Sequence, residues 1–268
     1  MQPDVLQAAA RLAEERLSFA IATVVRVIGS SSAPCGSSAV VDARGKLVSG
    51  WIGGGCAESA VRRAALDCIA AAAPCTITID MTDELRGVGM PCGGVMEVFI
   101  EPVLPKPELL ILGHGRIAEA LAVIGATLQF RVTVSDPSAE RAAFPAADRV
   151  LTCDLDLSES GIGPSTYVVI ATQHKGDHLT LHRALRSGAP YIALIASAHR
   201  AKLVLDDLAS SGVDGLHRVH APAGLEIGAA TPQEIALSVI AEVVAFRRGA
   251  TELQHKTVQD FVVRMCDR

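Results

Sequence analysis

Gly53-Gly54-Gly55-Cys56 is the first place in this sequence where residue type and spacing point to chemistry. The run precedes a segment in which Val61, Ala64, Ala65, Cys68 and Ile69 recur at helical spacing, so Cys56 stands where the first free amides of a helix point. Those amides and the helix dipole favour an anion or a thiolate. Three glycines clear side chains from the approach and let backbone N–H groups line a concave turn. Glu58 adds an opposing negative charge, unless it bonds back to the loop as a cap. A second cysteine, Cys92, sits among glycines in Gly89-Met90-Pro91-Cys92-Gly93, and a third, Cys35, in Ser32-Ala33-Pro34-Cys35-Gly36. The bland alternative is that all three are small loop residues, since free cysteine commonly serves as apolar filler. Cys68 and Cys75 fall on a helix face and a strand start and read as core, while Cys153 and Cys266 have no distinguishing context. No paired ligand spacing suggests zinc.

Gly113-x-Gly115-x-x-Ala118 follows one strand pattern and opens a helix, and Asp136 ends the next strand. In such a unit Gly113 permits the tight turn, Gly115 admits a pyrophosphate to the backbone, Ala118 keeps helix and strand close, and Asp136 bonds ribose hydroxyls. The motif predicts a Rossmann fold. It leaves open whether NAD(P) or FAD binds there, because the same glycines also serve helix–strand packing alone. His114, inside the loop, either touches a phosphate or faces solvent. His174, Lys175, Asp177 and His178 follow the strand 166–172 and are either acid–base groups at the ligand-binding edge or capping and solubility residues.

These groups need elements to position them. In the first part, the patterns predict a helix over 3–17, a buried strand over 19–27, two short strands about a turn at Ala43–Lys46, the helix from Cys56, and strands over 75–80 and 95–102. An irregular loop at 81–94 carries Cys92. Glu101 to Leu110 contains Pro102, Pro105 and Pro107, which cannot continue a central strand, so the stretch reads as an extended connector. Beyond it strands and helices alternate, which implies a parallel sheet with right-handed crossovers. The last helix is marked by Thr231 as N-cap, Pro232 in the first turn, Glu234 completing a capping box, and Gly249 ending it. The expected organisation is α/β: an N-terminal mixed α+β domain over 1–101, a Rossmann-like domain over 108–249, and a tail over 250–268 that forms a short helix.

With 268 residues, half of them hydrophobic and only 3% aromatic, the chain can bury a sizeable core. A formal charge of -5 argues against nucleic acid as a partner. No run of apolar residues is long enough for a membrane span, and the N-terminus lacks a signal-peptide layout. Seven cysteines, an odd number with no CxxC pair, suggest a reduced, cytoplasmic setting.

Together the motifs resemble the XdhC/CoxI family (CoxF-like members included), accessory proteins that mature molybdenum hydroxylases such as xanthine dehydrogenase and carbon monoxide dehydrogenase. The resemblance runs from the segment 22–61, with its GGGCxE element, through Cys92-Gly93-Gly94 to His220–Glu242, which reads PxGLxIGAxTPxEIAxSxxAE from Pro222. It implies a chaperone that binds molybdenum cofactor, as molybdopterin or molybdopterin cytosine dinucleotide. It also implies a cysteine desulfurase supplying a sulfido ligand, a hydroxylase apo-enzyme as recipient, and a homodimer. By the same resemblance Cys56 and Cys92 contact the metal or handle sulfur, with Gly53, Gly54, Gly55, Glu58 and Gly93 around the cofactor. Two stretches depart from the family pattern. Ala196, Ser197, Ala198 and His199 stand where relatives usually have Gly-Ser and basic residues, and residues 171–178 replace a more usual Thr-His-Asp start, with Asp177 keeping the acidic position. The alternative function, from the residues alone, is an NAD(P)- or FAD-dependent oxidoreductase.

Overall fold

Alternating apolar and polar residues build the first of two units, Met1–Pro105 and Lys106–Arg268, into which the chain divides. The structure, a computed structural model, describes residues 2–81, 94–154, 157–172 and 176–250. Helix α1 (Pro3–Glu14) begins with a proline where a missing N–H is harmless. It buries Val5, Ala8 and Leu12 against Phe19 and Val40. Strands β1 (Phe19–Gly29), β2 (Ser38–Asp42) and β3 (Leu47–Gly50) follow, then helix α2 (Cys56–Ala71) and strands β4 (Cys75–Asp80) and β5 (Gly94–Val103). Asp42 forms the β2–β3 turn by accepting Arg44 N and Lys46 N on Oδ1, at 2.9 and 2.8 Å. The sheet is antiparallel, ordered β3-β2-β1-β5-β4. Helix α2 closes one face by packing Val61, Ala65 and Cys68 into a core with Ala22, Met96 and Val98.

Pro102 falls in both the expected strand over 95–102 and the expected connector, and it is a residue of β5, paired with Ala20. The strand tolerates it because β4 reaches only as far as the Cys75–Ile100 pair, so beyond Ile100 β5 has one neighbour and an open edge. The loop at 82–93 lies outside the described residues, as does the tail at 251–268.

The second unit runs β6 (Glu108–Gly113), α3 (Arg116–Thr127), β7 (Arg131–Ser135), β8 (Arg149–Leu151), β9 (Thr166–Ala171), α4 (Asp177–Leu185), β10 (Tyr191–Leu194), α5 (Ala198–Ser210), β11 (Val219–His220) and α6 (Pro232–Arg247). Every strand pair is parallel, in the order β8-β7-β6-β9-β10-β11. This is the doubly wound order in which the chain leaves β6 first to one side and then to the other. Its four central strands, β6, β7, β9 and β10, are buried on both faces and so read as largely apolar runs. Leu109, Ile111, Val132 and Val169 pack with residues of α3 and α6. Leu110, Leu112, Val168 and Ile170 pack in the other layer with residues of α4 and α5.

Helix α6 starts as the sequence indicates: Thr231 accepts from Glu234 N, and Glu234 Oε2 accepts from Thr231 N at 2.8 Å. Backbone N–H donation from Thr231 and Ala230 holds the Glu234 carboxyl below the usual range. Glu242, further along, explains residues of the 222–242 motif that carry no evident meaning as sequence. Its Oε2 accepts from Tyr191 OH (2.8 Å) and Gly224 N (2.7 Å), and its Oε1 from His220 Nδ1 (2.9 Å). Gly224 takes φ +100 pressed against Ser238, where any Cβ would collide. Gly224, Ser238 and Glu242 thus fasten the segment after β11 to α6. Burial, then the Glu242 carboxylate, pushes the Tyr191 hydroxyl pKa well up. No helix among the described residues is long and apolar enough to cross a membrane.

Candidate functional site

The glycine turn is held from both sides. Trp51 N donates to Ser38 O at 3.0 Å, and Ile52 and Ala57 are buried in the α2 core. Gly53, buried, takes φ +99 and lies against the Ser32 hydroxyl, so a side chain there is strained. Gly54 and Gly55 are exposed, and a Cβ on Gly54 would meet open space. Gly55 is the N-cap of α2 at φ 58, and no side chain caps the helix. Cys56 is the first helical residue. Among the described residues, no side chain closes the first-turn amides of this 16-residue helix, which is the electrostatics an anion requires. Glu58 does not cap it. Its carboxylate instead pairs with Arg62 one turn on, at 3.6 Å, because i,i+4 spacing puts the two on one face. Cys92 and Gly93 lie outside the described residues. Among the described residues no group of three or more His, Cys, Asp or Glu could hold a metal ion.

The second cluster lies at the carboxyl edge of the parallel sheet, where β6 and β9 part. Gly113 pairs with Ala171 across this switch point, and a Cβ at Gly113 (φ +137) would run into the Ala171 carbonyl. Gly115 is the N-cap of α3 at φ 89, again with no side-chain cap, and Ala118 is fully buried between helix and sheet. Asp136 follows β7. Together Gly113, Ser135, Asp136, Asp154, Thr172 and Arg183 line a hollow of about 130 Å3. That volume suits a sugar-sized group.

His114 is part-buried beside the carboxylate that follows β7. Its Nδ1 donates to Asp136 Oδ1 at 3.0 Å, and Ser138 N donates to the same oxygen at 2.7 Å. Both bonds fall on Oδ1, so the Asp136 carboxylate is already oriented while Oδ2 retains acceptor capacity for a hydroxyl. Asp177 is buried at the start of α4, accepts from Thr172 Oγ1, and accepts from Arg200 Nε at 2.7 Å. It is a bound structural anion at the rim of the hollow. His178 is exposed, and His174 and Lys175 lie outside the described residues.

Sequence reasoning missed Arg183, Asp154, Thr172 and Arg200. Each stands far along the chain from the Gly113 motif, and only the strand order brings them to one edge. Ser197, in the segment that departs from the family pattern, carried the one local signal. It N-caps α5 by accepting from Arg200 N, which sets Arg200 toward Asp177.

Comparison with known proteins turns this geometry into an assignment. Residues 12–80 match the model of the XdhC and CoxI family, and residues 109–243 match that of the XdhC Rossmann domain. The chain belongs to the XdhC and CoxI family. Within the family it is 33% identical over 256 residues to the uncharacterized protein YqeB of Escherichia coli, covering 92% of this chain and 47% of that protein. It is 35% identical over 157 residues to a probable xanthine dehydrogenase subunit of Bacillus subtilis, 56% of this chain and 46% of that one. The chain thus spans about half the length of the curated relatives it matches. A solved structure from Bacillus halodurans, described as a xanthine dehydrogenase, shares the fold at TM-score 0.50 and 21% identity, covering 96% of this chain and 99% of that one.

Proposed function

We propose that the protein is an accessory factor in the maturation of molybdenum hydroxylases, carrying molybdenum cofactor as cargo. The observation that carries this reading is the uncapped, exposed glycine turn at the head of α2, in a chain of the XdhC and CoxI family. Molybdopterin and molybdopterin cytosine dinucleotide bear phosphates, and the amides of Gly54, Gly55 and Cys56 offer the donors they need. The cargo's metal takes soft ligands, and the reading assigns the thiolates of Cys56 and Cys92 to the metal or to its sulfur. The place of Cys56 as the first residue of α2, directly after the glycines, is what gives it that role in the reading. Once delivered, the molybdenum with its sulfido ligand supplies the recipient's hydroxylation chemistry. The partners that complete the proposal are a hydroxylase apo-enzyme, a cysteine desulfurase and a second copy of the chain. The name of the Bacillus subtilis relative supports the first of these.

The test is retention of molybdenum. The purified chain is loaded with released cofactor, passed through a desalting column, and the protein-bound metal is measured by mass spectrometry. Cys56→Ala and Cys92→Ala are each expected to cut retention about tenfold, equivalent to ~1.4 kcal/mol. Retention equal to wild type in both variants removes the thiols from the mechanism.

A second reading, a nicotinamide- or flavin-dependent oxidoreductase, draws on the hollow at the β6–β9 switch point with its oriented Asp136. It requires saturable binding of NAD(P)H or FAD that is lost in Asp136→Ala, together with turnover of a small substrate. Binding without turnover would instead give the Rossmann unit a regulatory part in cofactor handling. In that case NAD(P) or FAD should change the rate at which the cargo leaves.

A further inference from the structure

The sequence assigns Cys68 and Cys75 no chemistry, but the structure places them against each other. Cys68 lies in the last turn of α2 and Cys75 opens β4. Between them the chain doubles back through Ala72 at φ 51, with Ala72 N and Ala73 N returning to the carbonyls of Ile69 and Cys68. The return leaves Cys68 Sγ donating to Cys75 Sγ at 2.9 Å. Two sulfurs at that separation lie closer than ordinary van der Waals contact, within reach of bond formation without a large backbone shift. Their exposure is unequal. Cys68 is 3% exposed in the α2 core, whereas Cys75 is only partly covered. A reagent therefore meets Cys75 first and finds Cys68 directly behind it.

We propose that Cys68 and Cys75 form a reversible dithiol–disulfide pair, oxidised by low-molecular-weight disulfides. The Cys75 thiol loses its proton to water, and its sulfur attacks one sulfur of the reagent. A mixed disulfide forms and the first thiolate leaves. Cys68 then loses its proton and attacks Cys75 Sγ, the new S–S bond forms, and the second thiolate leaves. The two leaving thiolates take up the two protons. The protein loses two hydrogens and the reagent becomes two thiols. Burial and the neighbouring Cys75 push the Cys68 thiol up to about 11, which keeps it protonated and poorly reactive until a mixed disulfide lies beside it. The bond would tie the C-terminal end of α2 to β4. Twelve residues at about 1.5 Å each put that end roughly 18 Å along the helix from Cys56. The pair is thus separate from the glycine turn, and the proposal stands whether or not the cargo is molybdenum cofactor.

The full-length protein is equilibrated in buffers of graded reduced and oxidised glutathione, quenched with iodoacetamide and digested with trypsin. The peptide 64–86 contains Cys68 and Cys75 and no other cysteine. It is expected to lose two hydrogens and escape alkylation under conditions where exposed Cys35 and Cys153 carry only alkyl groups or glutathione. In Cys68→Ser, glutathione should accumulate on Cys75 at least tenfold over wild type, because the resolving thiol is gone. The proposal is overturned if the wild-type peptide remains doubly alkylated, or holds stable glutathione, where Cys35 is already glutathionylated. The wild-type measurement decides the matter even if the variant does not fold.

Discussion

Two glycines with opposite surroundings show how position, rather than residue type, sets the cost of a side chain. Gly113 takes φ +137 against the Ala171 carbonyl, while Gly54 opens onto empty space. Gly113→Ala is expected to destabilise the protein by about 2 kcal/mol or more, read as a lower urea midpoint. Gly54→Ala should change stability by less than about 0.5 kcal/mol, yet still place a methyl group over the proposed anion cradle and reduce molybdenum retention. Cys68 supplies a pH dependence. Its thiol is raised from 9.0 to about 11, first by burial and then by the bond to Cys75. A folded-state value above the unfolded one means that stability from this group is complete below about 9 and is lost as pH rises toward about 11. Denaturation midpoints of the reduced protein should fall across that window, and Cys68→Ser should flatten the fall. The residues of the Gly113 motif were legible as a spacing because the turn and the ribose contact need them near in sequence. The approach of Cys68 to Cys75 was not, because it depends on Ala72 adopting a left-handed conformation that a non-glycine residue does not announce.

At the scale of elements, the tie between α4 and α5 controls the rim of the switch-point hollow. Asp177 has almost no exposure, and Arg200 Nε lies 2.7 Å from its Oδ2. Arg200→Met leaves a buried carboxylate without its main partner and should cost about 3 kcal/mol, measured by urea denaturation. Asp177→Asn added to that variant should recover part of the loss, since the uncompensated charge goes with it. Helix α5 itself escaped sequence reading. It buries only Ala201 and Leu208, and Leu203 on its surface is more than half exposed, so its apolar period is thin. Strands β8 and β11, of three and two residues, are too short to register as a pattern. Helix α6, by contrast, was marked at its start by Thr231, Pro232 and Glu234, since a capping box is local chemistry that needs no tertiary partner. At Pro102 the expected strand and the expected connector overlap, and the strand prevails. Proline argues against a central strand, but whether a strand is central at a given residue depends on where its neighbour stops.

For the whole molecule, the parallel sheet was legible from alternating strands and helices, but its order was not, because crossover direction leaves no mark in local sequence. The formal charge of -5 bears on partners at the same scale. The protein should pass through a heparin column at about 0.1 M salt, where a polyanion attracts basic surfaces. Retention at that salt would reveal a cationic patch hidden in the total.

The outer strands carry a further consequence. Strands β3, β8 and β11 at sheet margins have four, three and two residues, and β4, the longest margin at six, turns Thr76, Thr78 and Asp80 to solvent. Among the described residues, these four margin strands offer no long apolar border onto which another polypeptide could zip. Those margins therefore give little template for fibril growth. Assembly through these four margins is thereby disfavoured, and helices, loops or sheet faces are the better surfaces for it.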